Sequence, residues 1–323
     1  MTAVYAFSHF AVDLGCAFAV FSANHRSAFG FLLYNFFAFA MQMPLGLLAD
    51  VLRKNKFFAV SGALLVAVCC LLPQPGLWSI CLLGLGNGLF HIGGGLEVMH
   101  AAEDRAAPLG IFVSPGAWGI WLGTMLGKAA SSPLPVVLLL LLSCAAMVLR
   151  KCRRQPALPS AQLPDKTALF PGVLLFFVVI LRSFGGMAVS LPWKTGFLSF
   201  AAVSCVVLGK ALGGILADRF GLKAVGLGSL LLSALLFLFS SSAPLGLMAL
   251  LLFNMTMPIT LHLLADRMPG VKGFSFGLLT FALFLGFLPG YFGASSISGA
   301  AMAAGSALSA ALLLPCLKEG DAP

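Results

Sequence analysis

Long apolar runs alternate with short polar breaks along this chain. A helix needs about 20 apolar residues to cross a bilayer. Cutting the sequence at its Gly, Pro and charged clusters leaves twelve such runs: 3–21, 28–49, 57–73, 77–98, 107–127, 133–149, 169–190, 195–217, 222–240, 244–264, 273–292 and 297–315. The runs are continuous rather than two-residue alternations, which predicts spanning helices and excludes a β-barrel. Most breaks are a few residues long, so consecutive helices are expected to be antiparallel neighbours. One break differs. The stretch RKCRRQPALPSAQLPDKTA (150–168) is long, basic and Pro-containing. It divides the chain into an N-terminal six-helix bundle (1–149), a cytoplasmic linker (150–168) and a C-terminal six-helix bundle (169–323). The expected fold class is an all-α polytopic membrane protein.

Composition narrows the classes further. Hydrophobic residues make up 60% of the 323, and charged residues 9%, against roughly 25% in an ordinary soluble domain. So few polar groups cannot clothe a soluble surface. A cytosolic enzyme, a secreted disulfide scaffold and a disordered chain are excluded. The eight cysteines lie mostly inside apolar runs with no CxxC pair. They read as small buried hydrophobes, and neither a metal nor a cofactor is expected. The N-terminus lacks a basic leader region and carries Asp13 within its apolar run, which predicts a retained first span.

The net charge of +9 has a topological cause. With the N-terminus inside, fourteen basic residues fall in inner breaks: Arg53, Lys54, Lys56, Arg105, Arg150, Lys151, Arg153, Arg154, Lys166, Arg219, Lys223, Arg267, Lys272 and Lys318. Three, Arg26, Lys128 and Lys194, fall outside. This is the positive-inside bias of a multi-pass protein with both termini cytoplasmic. The bilayer is the expected partner, not nucleic acid. The short loops and compact chain point to a bacterial inner (plasma) membrane, and a monomer is expected.

The two halves repeat. Gly46-x-x-Ala-Asp50 recurs as Gly214-x-x-Ala-Asp218, 168 residues later. HAAEDR (100–105) is echoed by HLLADR (262–267), and LGTMLG (122–127) by LGFLPG (285–290). Three matches in one order imply two parallel six-helix repeats.

These residues resemble the loop signature Gly-x-x-x-Asp-Arg-x-Gly-Arg-Lys of the major facilitator superfamily. The second copy keeps Gly214, Asp218, Arg219, Gly221 and Lys223, with Leu222 departing. The first keeps Gly46, Asp50 and Lys54, but has Val51, Arg53 and Asn55 at the other signature positions. The resemblance implies that this loop helps switch conformations. SHFAVD (8–13), FH (90–91) and LRSF (181–184) are similar to the fosmidomycin-resistance-like branch, which implies proton-driven efflux of small molecules. GIFVSPGAWG (110–119) partly resembles the Gly-x-x-x-Gly-Pro-x-x-Gly-Gly signature of drug–proton antiporters, with Ser114 and Trp118 departing.

An ionisable group at bilayer depth costs roughly 2.5–3.5 kcal/mol on insertion scales, which a water-filled cavity or a partner offsets. Asp13 lies mid-span with His9 four residues earlier, so both share one helix face. A carboxylate beside an imidazole can hold and pass a proton. This pair reads as the proton-coupling site or as a structural lock on the first span. Arg182 lies mid-span in the seventh run. The repeat offset maps it beside Asp13, at similar depth in the opposite half, and a fixed cation there fits an anionic substrate group. Lys210, His91 (in GNGLFHIGGG), Asn254 and Trp118 are further substrate-contact candidates, each with a structural alternative. No Gly-x-x-x-x-Gly-Lys-Ser/Thr loop or HExxH occurs, so direct ATP-driven action is not expected.

Three functions remain open on the sequence. One is a proton-coupled exporter of a small organic compound working by alternating access. One is an importer, symporter or uniporter, of a nutrient. One is a non-transporting membrane sensor. Divalent-metal efflux through His9, Asp13 and His91 would need ligands from separate helices to converge.

Overall fold

The computed structural model describes residues 1–22, 27–72, 76–150, 166–294 and 296–317. Most of the expected linker, and the basic residues Arg26, Lys151, Arg153, Arg154 and Lys318, lie outside the described residues.

The described chain is helical, with a single isolated bridge between Val189 and Ile297. In order, the helical stretches are α1 (Thr2–Phe21), α2 (Ala28–Leu52), α3 (Asn55–Leu71), α4 (Leu77–Ala101), α5 (Ala107–Lys128) and α6 (Leu134–Leu149). They continue with α7 (Lys166–Ala188), α8 (Gly196–Phe220), α9 (Leu222–Phe237), α10 (Ala243–Arg267), α11 (Pro269–Tyr291) and α12 (Gly299–Cys316). Among the described residues, nine are long and apolar enough to cross a membrane, and α3, α6 and α9 are shorter apolar helices. This is a multi-pass membrane protein. Large apolar side chains such as Leu149 (83% exposed), Phe197 (77%) and Phe57 (68%) lie on the outside, where lipid rather than water suits them.

The helix ends follow local chemistry. Ser27 accepts a hydrogen bond from the Gly30 N–H at 2.8 Å and caps α2, supplying an acceptor to an otherwise orphan donor. Arg53 adopts φ 54°, the left-handed turn that ends α2. Interruptions inside helices fall near proline. The helical ladder of α5 breaks at Ser114–Pro115, because proline lacks the N–H that would bond four residues back. In α10 the break at Met255 precedes Pro258, which leaves the Asn254 carbonyl without its helical donor. A single π-helical turn, Phe36–Ala40, interrupts α2.

The chain forms two compact units, and each takes a segment from the other sequence half. Unit 1 comprises Met1–Glu103, Pro115–Gln162 and Gly270–Phe281. Unit 2 comprises Asp104–Ser114, Leu163–Pro269 and Ala282–Pro323. The division within α5 falls at its proline break. In unit 1, α1 packs on α3, α4, α6 and the second part of α5. In unit 2, α8 packs on the first part of α5 and on α9 and α10, and α12 packs on α7 and α9.

Candidate functional site

His9 and Asp13 stack one turn apart on the buried face of α1, with His9 Nε2 3.1 Å from Asp13 Oδ2. α4 completes the cluster. His91 Nε2 lies 2.9 Å from His9 Nε2 and 3.7 Å from Asp13 Oδ1. Asn87 Nδ2 donates to Asp13 Oδ1 at 3.2 Å. All four residues are buried. Phe90 packs against both imidazole rings, 6.1 Å from His9 and 5.4 Å from His91 between centroids.

The hydrogen bonds fix where the protons sit. His91 Nδ1 lies 2.9 Å from the Asn87 carbonyl oxygen. A carbonyl only accepts, so Nδ1 carries the hydrogen and Nε2 of neutral His91 is bare. The 2.9 Å approach of the two Nε2 atoms then requires His9 to supply the N–H. That one hydrogen faces two acceptors, His91 Nε2 and Asp13 Oδ2. A further proton on His91 Nε2 would set two N–H groups against each other and open the His9–His91 contact. The network is complete with both imidazoles neutral and Asp13 ionised, and one added proton would rearrange it.

The ligand atoms of His9, Asp13 and His91 all lie within 4.8 Å of one another, near enough for one divalent ion. The imidazole nitrogens stand at hydrogen-bond separation. Two tetrahedral ligands on one zinc stand about 3.3 Å apart, whereas 2.9 Å is an N–H···N hydrogen bond.

Glycine lets α5 close over this cluster. A β-carbon at Gly116 would collide with Asp13 Oδ2 and His9 Nε2. At Gly119, Gly123 and Gly127 it would meet the carbonyls of Phe10, Leu14 and Phe18 on α1. The stripe puts two helix backbones in direct contact, as small residues do in membrane packing. Part of it lies in the segment that resembles the antiporter signature.

The other candidates divide between the units. Trp118 is half-buried on α5 in unit 1. His91, read from the sequence as a substrate contact, stands inside the His9–Asp13 network. Arg182, Lys210 and Asn254 belong to unit 2. Arg182 is 8% exposed, and its Nη1 donates to Thr260 Oγ1 at 3.2 Å. Lys210 Nζ lies 3.5 Å from the Val113 carbonyl beside the α5 break. Asn254 Nδ2 donates to the Leu250 carbonyl one turn back in α10.

The repeated loop motif performs one task twice. Asp50 accepts the N–H groups of Gly273 (2.8 Å) and Phe274 (2.9 Å), in the first turn of α11. Asp218 accepts those of Ala106 (2.7 Å) and Ala107 (3.0 Å), at the start of α5. A carboxylate belongs there, because a helix N-terminus offers unpaired N–H groups and the positive end of its dipole. Gly46 and Gly214 admit the partner backbones, at the carbonyls of Gly273 and Ala106. The match extends one turn back: Gly277 meets the Gln42 carbonyl and Gly110 the Lys210 carbonyl. Gln42 and Lys210 are themselves 168 residues apart. Around the signature, Gly221 has φ 86° at the α8–α9 turn, and Arg219 stacks 5.3 Å over Phe220. Lys223 lies in the first turn of α9.

Sequence reasoning missed Asn87, Thr260 and the glycine stripe as site residues. Asn87 carried a usable signal, standing one helical turn before His91 in GNGLFH. Thr260 carried none.

No family model matches the sequence, and no curated protein matches it. Solved structures do. A major facilitator superfamily transporter, FucP, in the outward conformation is similar over 98% of this chain and 97% of that one, with TM-score 0.69 and 15% identity. A variant of the E. coli fucose:proton symporter FucP is similar over 98% of both chains, with TM-score 0.62 and 15% identity. The chain has the major facilitator fold. In this major facilitator fold, the loop residues that resembled the superfamily signature are the ones that seat the starts of α5 and α11.

Proposed function

We propose that this protein is a proton-coupled secondary transporter that exports a small organic compound by alternating access. The reading takes all twelve helices as spans, arranged as two six-helix repeats with both termini cytoplasmic, in a monomer of the bacterial inner membrane. The protein acts as a transporter rather than an enzyme. One observation carries the proposal: a buried carboxylate, Asp13, held between an imidazole on its own helix and an amide on α4, with a second imidazole closing the network. Such a cluster buries ionisable groups at considerable cost, and reversible proton binding gives that cost a use.

In this mechanism, loading a proton on His91 Nε2 parts His9 from His91 and loosens α1 from α4. Release restores the contact. Asp50 and Asp218 act as the latches of the two-state element, each holding one helix start until the rearrangement frees it. Export is favoured by the partial antiporter signature and by SHFAVD, FH and LRSF, which resemble the fosmidomycin-resistance-like branch. A second reading, import by proton symport, draws on the likeness to FucP, a fucose:proton symporter.

The test uses proteoliposomes and the compound that most raises the melting temperature of the purified protein in a panel of small metabolites. Asp13→Asn should abolish flux driven by a pH gradient while leaving counterflow exchange intact. Gradient-driven flux that survives the substitution would remove Asp13 from coupling. The sign of the driven flux decides between export and import.

A further inference from the structure

Arg182 is a cation in the wrong company for a structural residue. It is 92% buried on α7, on the face that also carries the buried Leu175, Val178 and Val179. Among the described residues no carboxylate lies within ion-pair distance, and Thr260 Oγ1 is its one hydrogen-bond partner. The geometry of that contact matters. The Thr260 hydroxyl spends its hydrogen on the Met257 carbonyl at 3.0 Å, so it faces the guanidinium as an acceptor and engages Nη1. The Nε–Nη2 edge, where two N–H bonds run parallel, has no partner among the described residues. That edge matches the two oxygens of a carboxylate. One turn along the same face, Gly186 is exposed, and no atom lies within 4 Å of where its β-carbon would be.

We infer that Arg182 forms, within unit 2, a binding site for the carboxylate of the transported compound, with Thr260 as the positioning residue that turns the guanidinium fork towards it. The substrate class is therefore a small organic carboxylate. The inference rests on the transporter reading for its physiological meaning, but its chemistry stands without proton coupling. Burying a charge without a partner destabilises a protein, whereas replacing it by an apolar side chain of similar volume is often neutral or stabilising. A ligand site accepts that penalty; a structural ion pair would not show it.

The experiment uses the full chain in phosphatidylcholine nanodiscs, with 4-fluorobenzoate as probe and 4-fluorobenzamide as its neutral counterpart, followed by fluorine NMR line broadening. Wild type should broaden the benzoate signal far more than the benzamide signal, and excess formate should relieve it. Arg182→Met should weaken benzoate binding by about tenfold or more, as loss of a charged hydrogen-bond pair does, and the ligand-free variant should melt no lower than wild type. Thr260→Val should weaken binding less than Arg182→Met, with Thr260→Ser restoring it. If Arg182→Met does not fold, Arg182→Lys keeps the charge without the fork and should still bind benzoate more weakly than wild type. The proposal is overturned by equal broadening of benzoate and benzamide, by broadening that formate does not relieve, or by undiminished benzoate binding in the Arg182 variants. Binding is read at equilibrium with no gradient. Its failure leaves the Asp13 transport test standing, and uncoupled transport in Asp13→Asn leaves the carboxylate site standing.

Discussion

Asp13 tolerates burial because every neighbouring atom that matters is either a donor or a group that can become one. His9 and Asn87 each give it a hydrogen bond, and His91 stands behind His9 as acceptor. The glycine opposite is as much part of the site as the acids and bases. Gly116→Ala would drive a β-carbon into Asp13 and His9, and overpacking of this kind costs about 1–3 kcal/mol. The expected outcome is a lowered melting temperature and a disturbed proton network. Gly228→Ala is the control: nothing lies within 4 Å of its β-carbon position, so the melting temperature should hold or rise through helix propensity alone. At this scale the sequence was half legible. His9 and Asp13 could be paired because four residues on a helix make one face. Their meeting with His91 and Asn87 could not, because it depends on how α4 packs against α1, and helical period is silent about neighbours.

A sequence repeat becomes a physical repeat in the helices. The glycine and aspartate at an offset of 168 each accept one incoming helix start, and the carbonyl one turn away follows the same offset, while the glycines that meet it, Gly110 and Gly277, stand 167 apart. What the aspartates bind was hidden in the sequence: backbone N–H groups belong to every residue and leave no signature. Removing the charge but not the shape tests the arrangement. Asp50→Asn and Asp218→Asn should each destabilise by about 1 kcal/mol, the usual scale of a helix cap with its dipole contribution. The two losses should add in the double variant if they share no partner. Chemical or thermal melting of the four proteins gives the comparison. A loss confined to one of the two would show that the copies are not equivalent. The breaks in α5 and α10 were not expected, since Pro171 and Pro289 lie inside unbroken helices and a proline alone does not say which ladder yields; nor was it legible that α5 would be shared between two compact units at its break.

The molecule as a whole was the easiest level to read. Continuous apolar runs near bilayer length, a dearth of charge and basic residues gathered in alternate loops need no three-dimensional information, since the bilayer imposes them on any multi-pass helical chain. The helices start and stop within four residues of the expected spans, with the largest shift at the start of α11, where Pro269, Gly270 and Gly273 permit more than one beginning. Topology remains to be measured: fusions at both termini should give fluorescent green fluorescent protein and inactive alkaline phosphatase, and active phosphatase at either end would reverse the orientation.

The central claim is that His9, Asp13 and His91 bind and release a proton as one group. Infrared difference spectroscopy of the reconstituted protein, titrated through pH in wild type, Asp13→Asn and His91→Gln, tests it most directly. The account predicts a carboxyl band that disappears in Asp13→Asn, that rises and falls together with imidazole bands in wild type, and that shifts its midpoint in His91→Gln. A carboxyl signal unaffected by Asp13→Asn, or imidazole bands that titrate independently of it, would contradict the account.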